Sequence, residues 1–143
     1  MPSIKHVTNT WLLAVHLFAV FGLLYDIITR GNTEFGLLLF LVLFGAVFSL
    51  PSLAVCLLVF PHLSKAALTA TAKLVLWLFI LTLLVIGNAA LVCCLFTDSF
   101  ITWQEEPFVA CAVIAAWMAI LLRLNFFFQL IIPQTRAYEN EVV

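Results

Sequence analysis

Four long apolar runs dominate this chain and constrain its fold more than any other feature. They cover residues 11–29, 35–60, 74–97 and 107–132. Each is close to or above the roughly 20 residues that a helix needs to cross a hydrocarbon core of about 30 Å. Polar segments that contain glycine, proline or charged residues separate the runs. The pattern predicts four transmembrane helices joined by short loops, so that sequential helices are antiparallel.

The composition favours the same interpretation. Of the 143 residues, 66% are hydrophobic and 9% are charged, whereas soluble domains contain about 45 to 50% apolar and about 25% charged residues. The predicted class is all-α, an integral membrane four-helix bundle that forms a single domain over residues 1–143. The formal net charge of -1 leaves no basic patch for nucleic acid. Because the chain is so apolar, the lipid bilayer is the expected partner. We expect the first run to be retained, because no small-residue cleavage site follows it.

The positive charges fall mainly at one side of the predicted bundle. Lysine and arginine are enriched in cytoplasmic loops, and this bias sets the orientation of a membrane protein. The opposite side has Arg30 beside acidic residues. We therefore predict that both termini are cytoplasmic, in a plasma or inner membrane. The residues that carry this prediction are Lys5, Lys65, Lys73 and Arg136.

Arg123 lies within the fourth apolar run, where a charge costs roughly 2.5 to 3.5 kcal/mol on insertion scales. At 100° per residue it shares one sector of the helix with small residues, which mark a face where helices approach closely. Three alternatives remain open: Arg123 snorkels to headgroups, it faces a cavity, subunit interface or bound anion, or it pairs with Glu139 or Glu141. The predicted packing face consists of Cys111, Ala112, Ala115, Ala116 and Ala119.

Further polar side chains lie at depths similar to that of Arg123 and are candidates for a polar layer or pore lining. Pro51 is expected to kink the second helix, either as a hinge or only as an adjustment of shape. His16 lies on the other side of its helix from Ala14 and Gly22. The alternative to a place in the polar layer is therefore a structural role, in which the imidazole is hydrogen-bonded. The polar candidates are His16, Ser49, Ser52, Thr82 and Asn125.

Cys94 and Cys111 lie at similar depth, so a disulfide between them is conceivable, although free thiols that act as small apolar residues are the preferred interpretation. The spacing of His, Cys and carboxylate residues predicts no metal site. Haem needs two facing imidazoles, and His6 and His62 lie outside the predicted spans, so no cofactor is expected.

These features lead to three hypotheses for function. The first is a channel or pore formed by self-association through the small-residue faces, with Arg123 lining or gating it. The second is a non-catalytic accessory or anchor subunit, in which Arg123 pairs with an acidic residue of a membrane-protein partner. The third is an enzyme that handles lipid headgroups with His16 and Arg123, and it ranks last because no nucleophile or general base accompanies them.

Overall fold

The computed structural model describes residues 2–31, 35–97 and 106–141, and the chain is helical throughout nearly all of them. The predicted all-helical class is confirmed, and the helices form a bundle. Side chains are described over most of these residues up to Ile132. The helices are α1 (Pro2–Arg30), α2 (Phe35–Lys65), α3 (Ala70–Thr97), α4 (Glu106–Leu122) and α5 (Leu124–Glu141).

Three of these helices are long and apolar enough to cross a membrane. The candidate spans are Ser3–Thr29, Gly36–Lys65 and Ala70–Val92. The fourth apolar run is divided into Pro107–Leu122 and Leu124–Ile132, two helical segments that meet at an angle of 61°. The described part of the chain therefore has three candidate spans, or four if the bent pair counts as one.

The bend at Arg123 corrects the prediction of one uninterrupted helix over residues 107–132. The Arg123 amide donates to the Ile120 carbonyl at 3.0 Å, which tightens the last turn of α4. The chain then turns, and both Phe127 and Ile131 of α5 are fully buried. Burial of these two side chains favours the bent path, whereas apolar composition alone predicts only a continuous run.

The helices also extend beyond the predicted apolar runs into the more polar residues that flank them. Between α2 and α3, Thr69 accepts a hydrogen bond from the Ala72 amide at 3.3 Å and caps the start of α3. Lys73 donates to the Ser64 carbonyl at 2.9 Å, near the end of α2. Lysine side chains commonly satisfy the last carbonyls of a helix in this way.

Helix α1 makes its most extensive contacts with α2 and α4, while α3 packs less extensively on α2 and α4. The four long helices thus follow one another around the bundle. Close approach of α1 and α2 depends on glycine: a Cβ added at Gly22 would lie 3.0 Å from Leu41 Cδ1, and one at Gly45 would lie 3.1 Å from Phe18 Cδ1. Small residues supply such close approach in apolar bundles.

The best-packed core lies at one end of the bundle, which we term the packed end. The start of α1, the end of α2, the start of α3 and the end of α4 meet there, and α5 packs against them. The Phe60 ring lies 5.1 Å from Trp77, 5.4 Å from His6 and 6.0 Å from Phe127, measured between ring centroids. The buried core of the packed end consists of Val7, Cys56, Phe60, Leu63, Trp77, Ile120, Phe127 and Ile131.

Candidate functional site

A cavity of about 460 Å³ lies between α1, α2, α3 and α4. Val7, Cys56 and Trp77 belong both to its lining and to the packed end, so the cavity begins where the tight core stops. It extends along the bundle toward Leu37 and Phe108, near the opposite ends of α2 and α4. The cavity therefore runs along much of the length of the helices.

The wall of the cavity is almost entirely apolar. Leucine, valine, alanine and phenylalanine supply most of the lining, and the phenylalanines come from three helices. Because a buried water needs two to four polar partners, a wall of this composition suits apolar molecules better than water. The lining phenylalanines are Phe18, Phe40, Phe44, Phe48 and Phe108.

The few polar side chains in the wall are largely engaged with the helices. The Trp11 indole donates to the Ser49 hydroxyl at 2.8 Å, and this bond joins α1 to α2. The Asn88 amide donates to the Phe48 carbonyl and joins α3 to α2. The Thr10 hydroxyl donates to the His6 carbonyl at 2.8 Å within α1. Few hydrogen-bonding groups therefore face the interior of the cavity.

These interhelical bonds converge on the part of α2 that surrounds Pro51. Proline has no amide proton, so the Val47 carbonyl loses its helical donor. Asn88 donates to the adjacent carbonyl, that of Phe48, and the Ser49 hydroxyl donates to the Gly45 carbonyl. Helix α2 continues through Pro51 as one helix. A hinge at Pro51 stays a prediction.

The structure brings only part of the predicted polar layer together. Ser49 and Ser52 line the cavity. His16 is exposed, and its Nδ1 lies 2.7 Å from the Leu12 carbonyl oxygen of its own helix. Thr82 donates to its own helix at 2.9 Å and accepts a bond from the exposed Trp117 indole, also at 2.9 Å. Asn125 lies on the exposed side of α5.

Arg123 lies at the break between α4 and α5 and does not line the cavity. Its guanidinium carbon is 5.2 Å from the centroid of the Phe126 ring. Among the described residues, Nε of Arg123 is buried and has no hydrogen-bond acceptor. The side chains of Glu139 and Glu141, its predicted partners in the tail, lie outside the described residues.

The small-residue face of α4 is largely occupied within the chain. Ala115 and Ala119 are fully buried and Ala116 is 8% exposed, while α4 makes its most extensive contacts with α1. Cys111 and Ala112 are partly exposed. The structure therefore uses this face for packing between helices of one chain.

The conceivable disulfide is absent from the structure, because Cys94 and Cys111 are both free thiols. Cys94 is exposed and Cys111 is partly exposed. Neither thiol is fully buried, and the choice between a disulfide and two free thiols stays a prediction.

Two residues of the site were missed in the sequence. Asn88 is an amide within the apolar run of α3, and this isolation is the signal that could have identified it as an interhelical donor. Trp11 begins the first apolar run, where a tryptophan is typical of the membrane interface. Its bond to Ser49 depends on the packing of α1 on α2, which the sequence pattern does not specify.

Comparisons with protein-family models, with curated proteins and with solved structures found no match to this chain.

Proposed function

We propose that this chain is a four-span integral membrane protein whose cavity holds one apolar ligand, the acyl chain of a lipid. The observation that carries the proposal is the apolar cavity of about 460 Å³. Its volume falls within the range of about 300 to 1,000 Å³ that is typical of ligand pockets. Because its wall offers few hydrogen-bonding groups, it suits a hydrocarbon chain better than a polar solute.

The lengths of the helices support the proposed membrane arrangement. Helices α1 to α3 contain 28 to 31 residues, so each is about 42 to 47 Å long at 1.5 Å per residue. Helix α4 contains 17 residues and is about 26 Å long. With the hydrocarbon core at about 30 Å, α4 crosses once and α5 turns along the boundary. The packed end then projects from the bilayer.

The charges place the packed end on the cytoplasmic side in this proposal. Lys5, His62, Lys65 and Lys73 all lie in the helical ends that meet there. The positive-inside rule assigns such an end to the cytoplasm. Both termini follow, because α1 begins at the packed end and α5 packs against it.

The packing of α3 suggests how an acyl chain would enter. Helix α3 contributes Leu81, Leu84 and Val85 to the cavity wall, yet it packs less extensively on its neighbours than α1 does. The cavity is also partly open to the surface. A lipid chain could therefore enter sideways between α3 and an adjacent helix, with no aqueous path.

The hypotheses drawn from the sequence stay predictions. For an oligomeric channel, the small-residue face of α4 is already covered by the same chain, and Arg123 lies outside the apolar cavity. An accessory or anchor subunit would use the exposed apolar surface, which the bilayer covers equally well. A headgroup-handling enzyme would need His16, whose Nδ1 is directed to its own helix.

The test compares two adjacent alanines of α3. Ala89 lines the cavity, whereas its neighbour Ala90 does not. Ala89→Phe should fill part of the cavity, while Ala90→Phe places the same ring outside it. We expect native mass spectrometry to show one apolar molecule bound to the wild type and to Ala90→Phe, with at least a tenfold lower occupancy in Ala89→Phe. Equal occupancy in both variants, or a folded wild type with no bound molecule, would contradict the proposal.

A further inference from the structure

We infer that Arg123 binds the phosphate of an anionic lipid headgroup at the packed end of the bundle. The inference rests on the membrane insertion proposed above, and it is independent of what occupies the cavity. Arg123 is absent from the cavity lining. The site is therefore a second lipid contact, one that recognises a headgroup charge instead of a hydrocarbon chain.

The first argument is that one nitrogen of Arg123, Nε, lacks a hydrogen-bond acceptor among the described residues. This nitrogen is buried. A buried donor atom that has no acceptor typically costs about 1 to 3 kcal/mol, and more where it belongs to a charged group. Asp26 is the one acidic side chain whose position is described, and it lies near the far end of α1. An anion from outside the chain would supply the missing acceptor.

The second argument is the level of Arg123 in the bilayer. It lies at the break between α4, the proposed fourth crossing, and α5, the helix along the boundary. Headgroup phosphates lie at that boundary, and long basic side chains reach them there. Arg123 is partly exposed although its Nε is buried, so a phosphate at this boundary can approach the side chain.

The third argument is the orientation of the guanidinium. It lies 5.2 Å from the centroid of Phe126, whose side chain is 56% exposed. This cation–π contact holds the guanidinium on the exposed side of α5. Arginine binds phosphate through two parallel hydrogen bonds, for which its planar group is suited.

Two further polar side chains of α5 could complete the recognition of a headgroup. Asn125 and Gln129 are four residues apart, both exposed, and both line a shallow depression with Phe128 and Ile132. Residues at this spacing share one face of a helix. Arg123 does not line this depression, so the two amides would donate to headgroup oxygens other than those that Arg123 binds.

The experiment measures headgroup preference. Full-length protein in a mild detergent receives equal amounts of phosphatidylglycerol and phosphatidylcholine with identical acyl chains, and native mass spectrometry gives the ratio of the two bound lipids. Both lipids carry a phosphate that can accept hydrogen bonds from Arg123, but the choline ammonium of phosphatidylcholine offsets the phosphate charge and repels the guanidinium. We therefore expect wild type to favour phosphatidylglycerol about tenfold. Arg123→Gln should lower the ratio to about one. Arg123→Lys should retain part of the preference, because it keeps the charge and loses the bidentate geometry.

Lys5→Gln is the matched control, because it removes an exposed positive charge from the same end of the bundle. It should keep the wild-type ratio. If Arg123→Gln fails to fold, Phe126→Leu provides the test: it preserves the charge, removes the aromatic ring, and should lower the ratio severalfold. Circular dichroism melting curves establish which variants are folded.

Several results would overturn the inference. One is an unchanged ratio in folded Arg123→Gln or, where that variant is unfolded, in Phe126→Leu. Another is an equal loss of preference in Lys5→Gln, which would indicate a diffuse charge effect. Displacement of phosphatidylglycerol by millimolar inorganic phosphate would assign the site to a free anion. A rise in preference in Glu139→Gln/Glu141→Gln would show that the tail occupies Arg123. Because the acyl chains are identical, none of these ratios depends on whether the cavity is filled.

Discussion

Phe127 holds α5 against the rest of the bundle, and its replacement by alanine tests that packing. The side chain is fully buried. Its ring lies 5.7 Å from Phe128, 6.0 Å from Phe60 and 6.3 Å from His6. Truncation of a buried phenylalanine typically costs about 3 to 5 kcal/mol, the sum of the lost transfer free energy and the cavity left behind. We expect Phe127→Ala to lower the free energy of unfolding by about that amount.

Phe126→Ala is the control, because it makes the same chemical change at the adjacent position of α5. Phe126 is 56% exposed and contacts the Arg123 guanidinium. An exposed cation–π contact is worth about 0.5 to 1 kcal/mol, so this variant should lose no more than about 1 kcal/mol. Equilibrium unfolding by titration with sodium dodecyl sulfate, followed by circular dichroism, gives both values. Equal losses in the two variants would refute the packing of α5 described above.

Further predictions concern a hydrogen bond between α3 and α2 and two glycines in α1 and α3. Asn88→Leu removes the hydrogen bond between α3 and the Phe48 carbonyl. It should lower the free energy of unfolding by about 0.6 to 2 kcal/mol, the range for interhelical hydrogen bonds in membranes. A loss near zero in the same detergent titration would contradict this prediction. Gly87→Ala, where an added Cβ meets nothing within 4 Å, should raise the stability by about 0.5 to 1 kcal/mol. Gly22→Ala should give no such gain because its Cβ would approach the buried Leu41 to 3.0 Å, and equal gains at both glycines would contradict this contact.

The helical class could be predicted from the sequence, because a long apolar run leaves the chain few ways to satisfy its backbone. The boundaries could not be predicted as well. Helix α1 begins at Pro2 instead of residue 11, and α2 ends at Lys65 instead of residue 60. The length of an apolar run indicates how much of the chain suits the hydrocarbon core. The helix itself can continue into more polar residues where these pack against other helices.

The break at Arg123 shows why the candidate site was only partly predictable. No glycine or proline lies between Pro107 and Ile132, so no local signal ends the helix there. In the bent arrangement Phe127 contacts Phe60 and His6, which are distant in the sequence. The apolar cavity likewise depends on how four helices pack, and a hydropathy pattern does not predict the space between them.

An acyl chain in the cavity can be detected most directly by quenching of tryptophan fluorescence. Trp11 and Trp77 line the cavity, whereas Trp117 is 45% exposed and Trp103 lies outside the described residues. In a Trp103→Phe/Trp117→Phe background, a brominated fatty acid should quench the remaining fluorescence saturably, at one molecule per chain, and Ala89→Phe should abolish the saturable phase. Quenching that rises without saturation, or that is identical with and without Ala89→Phe, would show that no acyl chain occupies the cavity.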